Sequence, residues 1–586
     1  MSVPVFPASD VPASLPAGVR LIGGEMMAWT DDAPEYDRVP ASGVVSAYLL
    51  DRLVPADSAI LLAGPHAPEL VDQLADRGRS LTCLVRSVLD ARDLGLRYES
   101  RADVAIECGA LDKFSTPGPF DVIVALSGLK SLLSMDGADL AWTECLDRLT
   151  AVLAPGGSLL LATENELGVH RLVDAGPPSG RHGDMDWAPR TDDTTPVGPA
   201  ALAGELTARG HAVVRTYAAF PAPTAPAVLV AAELLDDRPV AQDALGSLIA
   251  AAFARGFAGR TVLSDPAKLA RETLRSGLGA RLAPAWIAVA GGTDWPAPDA
   301  LVSSGPATVC ELSLEDGRRQ VVGADTALAS GRVVVEPDRL NGPLPAGSTV
   351  EELLITACAT EDVRQVKDIL RPFGQWLADQ TKDGQLPAEL VFATTDNVVF
   401  DGSRWALLDP SHRLTEALPF EVAFARILQG FTGRLTTSGD RHPWPEWIDP
   451  AGLTVTLSGM AGYPVDEATC AKARELDTEI AEALGLPAPA AEHVPSGHRT
   501  LQAEVVRLRD ELEAANGQVK GLERLLTARE KTIKQRDAKI RRLETQLTTG
   551  KKVLRTVQGS LGSRVGRPMV AGRRVGRKVI RRLRRR

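Results

Sequence analysis

Short apolar runs separated by helical patterns fill residues 45–240, a rhythm that predicts strands alternating with helices around a mostly parallel sheet. The runs read AILLAG (59–64), LTCLV (81–85), DVAIEC (103–108), DVIVAL (121–126), SLLLAT (158–163) and AVLVAA (227–232). A stretch rich in Gly, Pro and Asp at about 175–199 is long enough to predict a lid or an insertion. Beyond residue 240 the pattern changes. LGSLIAAAFARGF predicts a helix, and ATVCELSLEDGRRQVVGAD predicts a hairpin with Asp-Gly at its turn. A helix around 361–378 and a second hairpin, NVVFDGSRWALLDP, follow.

After GLPAPAAEHVPSG (485–497), which reads as a Pro-rich linker, the period becomes seven. One heptad position holds Val505, Leu512, Val519, Leu526, Ile533, Ile540, Leu547, Leu554 and Leu561 without a break. Its companion holds Leu501, Leu508, Ala515, Leu522, Arg529, Arg536, Leu543, Gly550 and Val557. This is the pattern of a coiled coil. A single helix of ~55 residues at 1.5 Å each would span some 80 Å, more than one domain can cover. Arg529 and Arg536 weaken the seam in mid-course and are expected to set register or strand number.

Charge adds a second feature. Residues 551–586 contain 14 Lys or Arg and no acid, whereas the other 550 residues carry 51 basic and 75 acidic groups. A cationic tail on an acidic body implies an anionic target for the tail. Val575, Val579 and Leu583 are spaced by four, so a helical tail would present an apolar stripe among arginines, as membrane-surface helices do. The tail has no aromatic residue to stack on bases, which argues against nucleic acid as its target. The expected partners are another copy of the chain through the coiled coil, and an anionic membrane or a glycosyltransferase through the tail. The six cysteines form no CxxC pair and lie in apolar stretches, as reduced buried thiols do. Neither a signal peptide nor a transmembrane run is evident, so the expected location is cytoplasmic, peripheral on the inner face of the membrane.

In an open α/β sheet, ligands bind beyond the carboxyl ends of the strands. The first run ends in Gly64, Pro65, His66, Ala67 and Pro68. PFDVIVALSGL and, further on, LAPGGSLLLATENELG resemble the fourth and fifth strands of class I S-adenosylmethionine-dependent methyltransferases. ENELG is similar to a segment of methyltransferases that act in surface-polysaccharide synthesis, as is AALAGELTARGHAVVRTYAAFPAPTAPAVLV. The resemblance implies S-adenosylmethionine as cofactor, in a pocket lined by Gly64, Arg86, Leu111, Asp112 and Ser127. It also makes His66, Glu164 and Asn165 catalytic candidates. The sequence departs from the family at two places. The glycine-rich loop is reduced to GPHAP, and the end of the second strand carries Arg86 where an acid should bind ribose hydroxyls. An arginine cannot accept those hydrogen bonds.

Residues 300–450 resemble the kinase-like domains fused to such methyltransferases, through QVVGAD, GSTVEELL and TTDNVVFDGSRWALLDPSHR. The resemblance places Asn397 and Asp409 at vestigial metal-holding positions. It places Phe392 where the catalytic base belongs and Gly323 where the phosphate-binding lysine belongs, so phosphoryl transfer is not expected.

The expected fold class is α/β. A Rossmann-like methyltransferase domain (1–240) precedes a degenerate kinase-like α+β domain (241–484), the linker (485–497), a long coiled coil (498–562) and a basic amphipathic tail (563–586). The order is similar to methyltransferase–kinase proteins that cap O-antigen glycans. Two functions follow from it: a methyltransferase of cell-surface glycan biosynthesis, or a catalytically silent scaffold that organises glycosyltransferases at the membrane.

Overall fold

The computed structural model describes residues 15–27, 29–34, 38–115, 118–173, 192–235, 239–258, 260, 262, 264–292, 296–305, 307–323, 328–437, 440–445, 448–484 and 498–561. The expected linker and tail, and most of the expected lid, lie outside these residues. The chain divides into two units, Met1–Pro495 and Ser496–Arg586.

The first unit is built on one sheet. Its principal strands are β1 (Val19–Gly23), β2 (Ala59–Ala63), β3 (Ser80–Val85), β4 (Val104–Gly109), β5 (Phe120–Ala125), β6 (Leu153–Glu164), β7 (Val213–Phe220), β8 (Val228–Ala231), β9 (Ala285–Ala290), β10 (Ala300–Ser304), β11 (Thr308–Ser313) and β12 (Arg318–Gly323). They lie in the order β1-β4-β3-β2-β5-β6-β9-β7-β8-β10-β11-β12, with Gly342–Pro343 closing the far edge. Strands β1 to β6 pair in parallel, and β6 pairs antiparallel with β9. The remaining neighbours are antiparallel.

The helices are α1 (Val44–Leu53), α2 (Pro68–Arg77), α3 (Val88–Arg97), α4 (Trp142–Thr150), α5 (Val169–Val173), α6 (Pro199–Ala208), α7 (Pro239–Gly256) and α8 (Pro266–Arg275). Further along come α9 (Val350–Ala359), α10 (Val363–Asp379), α11 (Phe420–Thr437), α12 (Pro450–Ala461), α13 (Glu467–Ala483) and α14 (His498–Leu561). Strand alternation divides the apolar residues between two layers. Ile60, Leu62 and Cys83 join Leu49, Leu70 and Leu74 on the α1–α2–α3 face. Leu61, Leu159 and Leu161 join Leu146, Leu206 and Phe253 on the other. A parallel sheet covered on both faces needs such near-continuous apolar strands.

The sheet runs across the boundary expected at residue 240. Strand β9, from the second region, sits inside the sheet of the first, between β6 and β7. All six of its residues, AWIAVA, are buried, as a central strand requires. The hairpin β11–β12 forms as expected, with Gly317 at φ +58° in its turn, but it extends the same sheet through β10. Helices α9 to α13 then enclose a separate apolar core around Leu370, Phe373, Phe424 and Phe431. The second expected hairpin pairs Val398–Phe400 with Trp405–Leu407. In the second unit, α14 runs unbroken for 64 residues. No described helix is long and apolar enough to cross a membrane.

Candidate functional site

The carboxyl ends of the parallel strands form one edge. Leaving β2, Gly64 has φ +93°, and its N–H donates to the Leu84 carbonyl at 2.9 Å. A Cβ there would stand 2.6 Å from Ser131 Oγ, so only glycine passes this point. The loop is then tied down rather than open. Ser127 donates its hydroxyl to the Pro65 carbonyl and accepts the Ala41 N–H at 3.3 Å. His66 lies 3.0 Å from the Gly64 carbonyl through Nδ1, and its Nε2 accepts the Leu126 N–H at 3.4 Å. Both ring nitrogens are engaged, and burial lowers the ring's pKa to about 4. His66 is thus a neutral tie between β2 and β5, and the structure gives it no free lone pair with which to act as the expected base.

At the end of β3 the decisive pair is Arg86 and Asp31. The Arg86 Nη2 donates to Asp31 Oδ1 at 2.6 Å and its Nη1 to the Leu133 carbonyl at 2.7 Å. The two side chains are 8% and 5% exposed. Trp29 donates from Nε1 to the same carboxylate at 2.8 Å, and its ring lies 5.1 Å from the Arg86 guanidinium. Asp90 accepts the Thr30 hydroxyl at 2.7 Å and the Asp31 N–H at 2.9 Å, and burial raises its pKa. Segment 29–34 therefore straps the strand ends through two carboxylates.

A cavity of about 390 Å³ lies under the strap, lined by Leu62, Gly64, Val85, Asp90 and Thr30 among others. Of the five expected cofactor-binding residues, only Gly64 lines it. Arg86, Leu111, Asp112 and Ser127 lie outside its lining. The cause is strand alternation: Cys83 and Val85 face the α2–α3 layer, whereas Arg86 follows Leu84 to the other side. Leu111 is buried in the opposite core, and Asp112 pairs with Lys113 at 2.9 Å. Sequence reading missed Val85 and Asp90. Asp90 supplies an acid four residues beyond Arg86, brought to the cavity by the first turn of α3.

A second cavity, of about 260 Å³, opens at the end of β6, lined by Glu164, His170, Arg171, Thr224, Phe257 and Arg260 among others. Glu164 accepts from Arg171 Nη2 at 2.6 Å and faces His170 Nε2 at 3.4 Å. Burial alone would raise the Glu164 pKa, but these two neighbours hold it down at about 2. Asn165, expected as catalytic, instead closes a turn: its Nδ2 donates to the Arg281 and Ala283 carbonyls at 2.8 and 2.9 Å, and its Oδ1 accepts the Leu167 N–H at 3.1 Å. His170 and Arg171 were not singled out in the sequence; their place on the helical turn after ENELG was the available signal. The two cavities flank one segment. Pro40 lines the first and Val39 the second. Ala41 bonds to Pro65 and Ala67, and the Ser42 N–H donates to the Thr224 carbonyl at 2.9 Å.

In the region of α9 to α13, Asn397 and Asp409 serve each other. Asn397 donates to the Phe392 and Asp409 carbonyls, both at 2.9 Å, and accepts the Asp409 N–H at 2.7 Å. The Asp409 carboxylate accepts from Ser304 on β10 and from the Ser411 N–H. Burial alone would raise the Asp409 pKa; His412, Ser304 and Ser411 hold it far below the usual range. Arg319 fills the adjoining space, donating to the Leu340 and Leu408 carbonyls at 2.7 Å each. Among the described residues no group of three His, Cys, Asp or Glu is placed to hold a metal. Asn397 and Asp409 lock the end of the hairpin to the large sheet. Gly323 ends β12, and Phe392 contributes its backbone carbonyl to Asn397.

No family model matches the chain, and no curated protein matches it either. Solved structures overlap it in part. The N-methyltransferase NodS from Bradyrhizobium japonicum, in complex with S-adenosylhomocysteine, is 23% identical over 21% of this chain and 60% of its own, with a TM-score of 0.19. This chain thus spans less than two thirds of that protein's length. A second structure of NodS is 20% identical over 32% of this chain and 88% of its own, with a TM-score of 0.21. A Burkholderia thailandensis 1,6-didemethyltoxoflavin-N1-methyltransferase with bound S-adenosylhomocysteine is 19% identical over 29% of this chain and 67% of its own, with a TM-score of 0.20. The parallel sheet β4-β3-β2-β5-β6, extended by antiparallel β9 and covered on both faces, has by itself the layout of a Rossmann-like fold.

Proposed function

We propose that this chain is an S-adenosylmethionine-dependent methyltransferase-like protein of cell-surface glycan biosynthesis. The single observation that carries the methyltransferase reading is the pair of cavities flanking Val39–Ser42 at the carboxyl edge of the sheet, one for a cofactor and one for an acceptor. The fit of the cofactor is partial. The first cavity falls in the size range of small-ligand sites and is lined by three acids, Asp32, Asp90 and Asp93, of which Asp90 stands in the first turn of α3, closest in sequence to the end of β3. Its glycine loop is closed by Ser127 and Ser131, and Asp90 already accepts two hydrogen bonds. Gly64, Val85 and Asp90 would hold the cofactor, which when bound supplies an electrophilic methyl group. At the second cavity, Glu164 accepts hydrogen bonds from the acceptor's hydroxyls, while His170 and Arg171 keep the carboxylate ionised and oriented. Proline and alanine side chains on the 222–225 wall exclude water from the acceptor.

A second reading is favoured by the Arg86–Asp31 pair and by the closed Asn397–Asp409 site: a silent scaffold. In it, the kinase-like region is a spacer without phosphoryl transfer, and the tail binds an anionic membrane surface or a glycosyltransferase. Titration calorimetry of S-adenosylhomocysteine into the full chain separates the two readings. The methyltransferase reading expects binding at micromolar or weaker affinity that Asp90→Asn weakens further. The strap's competition for Asp90 costs charge-assisted bonds of roughly 1.5–3 kcal/mol, about ten- to a hundredfold in affinity. No binding at millimolar ligand supports the scaffold. Submicromolar binding refutes the weakened site.

A further inference from the structure

Helix α14 spans roughly 96 Å at 1.5 Å per residue, and it leaves an apolar seam uncovered within its own unit. Leu512, Val519, Leu526, Ile533, Ile540 and Leu547, each seven residues from the next, remain 49–61% exposed. Leu508, Leu522 and Leu543 on the companion row remain 51–60% exposed. Single exposed leucines need no explanation, but a continuous apolar stripe of this length exceeds what a monomer ordinarily leaves in water.

We propose that a second copy of this chain covers the seam, running parallel and in register. The charges that flank the seam select this occupant and this direction. In a parallel pair, the position before each residue of the first row meets, on the other helix, the flank position five residues later. That sets Lys539 of one copy against Glu544 of the other. The arginines of the companion row are matched as well. Each is followed by an acid, Arg529 by Glu530 and Arg536 by Asp537, and in a parallel pair that following position lies against the companion-row residue of the other helix. An antiparallel pair would instead turn this flank against itself. It carries an acid at four successive heptads, Glu523, Glu530, Asp537 and Glu544, close to the midpoint of α14, so acid would face acid along the centre. Like charges so placed oppose pairing. Arginines in the seam thus specify direction and register, as polar residues in core positions do.

Oxidative cross-linking of the full chain tests the inference. The six native cysteines are buried, so cysteines introduced on the exposed seam are the reactive ones. Leu512→Cys and Leu547→Cys, tested separately, should each give a covalent dimer, because in register each residue meets its own copy. Light scattering of the unmodified chain should give a mass at least twice 62.1 kDa at micromolar concentration. Lys539→Glu should lower association at least several-fold at low salt, and Lys539→Glu/Glu544→Lys should restore it. A monomeric mass overturns the proposal. So does cross-linking only in mixtures of Leu512→Cys with Gly550→Cys, which is the antiparallel result.

Discussion

Replacing Asp31 with alanine strands the Arg86 guanidinium in a site with almost no water. In the wild type, Arg86 donates to Asp31 Oδ1 at 2.6 Å and from Nε at 3.1–3.2 Å, while Trp29 Nε1 adds a third donor group at 2.8 Å. Both charged side chains are more than nine-tenths buried, so solvent screening offsets little. Removing one partner of such a pair costs about 3–5 kcal/mol, because the remaining charge is left without a counter-ion. At about 2.1 cal/mol/K of unfolding entropy per residue, a unit the size of Met1–Pro495 shifts by ~1 °C per kcal/mol, so the thermal midpoint falls by roughly 3–5 °C. Removing both charges together behaves differently. Asp31→Leu/Arg86→Met replaces the pair with apolar groups and leaves the buried Trp29 Nε1–H without its acceptor, so it should be clearly more stable than Asp31→Ala and fall short of wild type by about 1–3 kcal/mol. The assay is a double-mutant cycle by thermal and urea unfolding, read by tryptophan fluorescence and circular dichroism. If Asp31→Ala costs less than about 1 kcal/mol, or the double variant is no better than the single, the strap is not held by this pair and the reasoning fails.

Three further outcomes follow from the same geometry. His66 titrates at about 4 in the fold against an ordinary value of 6.5, so the folded state binds fewer protons between these values; its contribution is complete above about pH 6.5 and lost as pH falls toward 4, amounting to as much as about 3 kcal/mol. Unfolding curves across that window should flatten in His66→Gln, and an unchanged slope would contradict the buried neutral ring. Asn397→Ala should cost about 1–3 kcal/mol by leaving backbone groups of Phe392 and Asp409 unpaired, measured by thermal unfolding; phosphate transfer from ATP that disappears in Asp409→Ala would overturn the reading of this site as structural. Residues 563–586 should carry the chain to anionic vesicles in flotation, with binding falling steeply from low to physiological salt as screening shortens to ~8–10 Å; equal flotation after their deletion would refute the membrane reading.

The apolar runs by themselves determined where β2 to β6 and β8 form, because each is a short, locally contiguous stretch whose alternation assigns it to two buried faces. The hairpin at Asp316-Gly317 and the long seven-residue repeat of α14 were legible for the same reason: turn chemistry and helix period are local. Strand β9 was not. AWIAVA has no neighbouring partner in sequence, and it acquires one only when β7, more than sixty residues earlier, and β6 come together around it. The same holds at the site. Gly64 could be placed because a strand-ending glycine is a local signal, whereas Arg86 was placed in the cofactor pocket from its position in the motif. Its actual partner, Asp31, lies 55 residues away, and strand alternation turns its side chain from the cavity and presents Val85 instead. Glu164 was visible in ENELG, but its charge state depends on His170 and Arg171 meeting it through the turn that Asn165 closes. Residue types and periods are local properties. Which carboxylate faces a cavity and which is consumed by a buried counter-ion is decided by contacts between segments far apart in the chain, through burial and the loss of solvent that only the assembled layers impose.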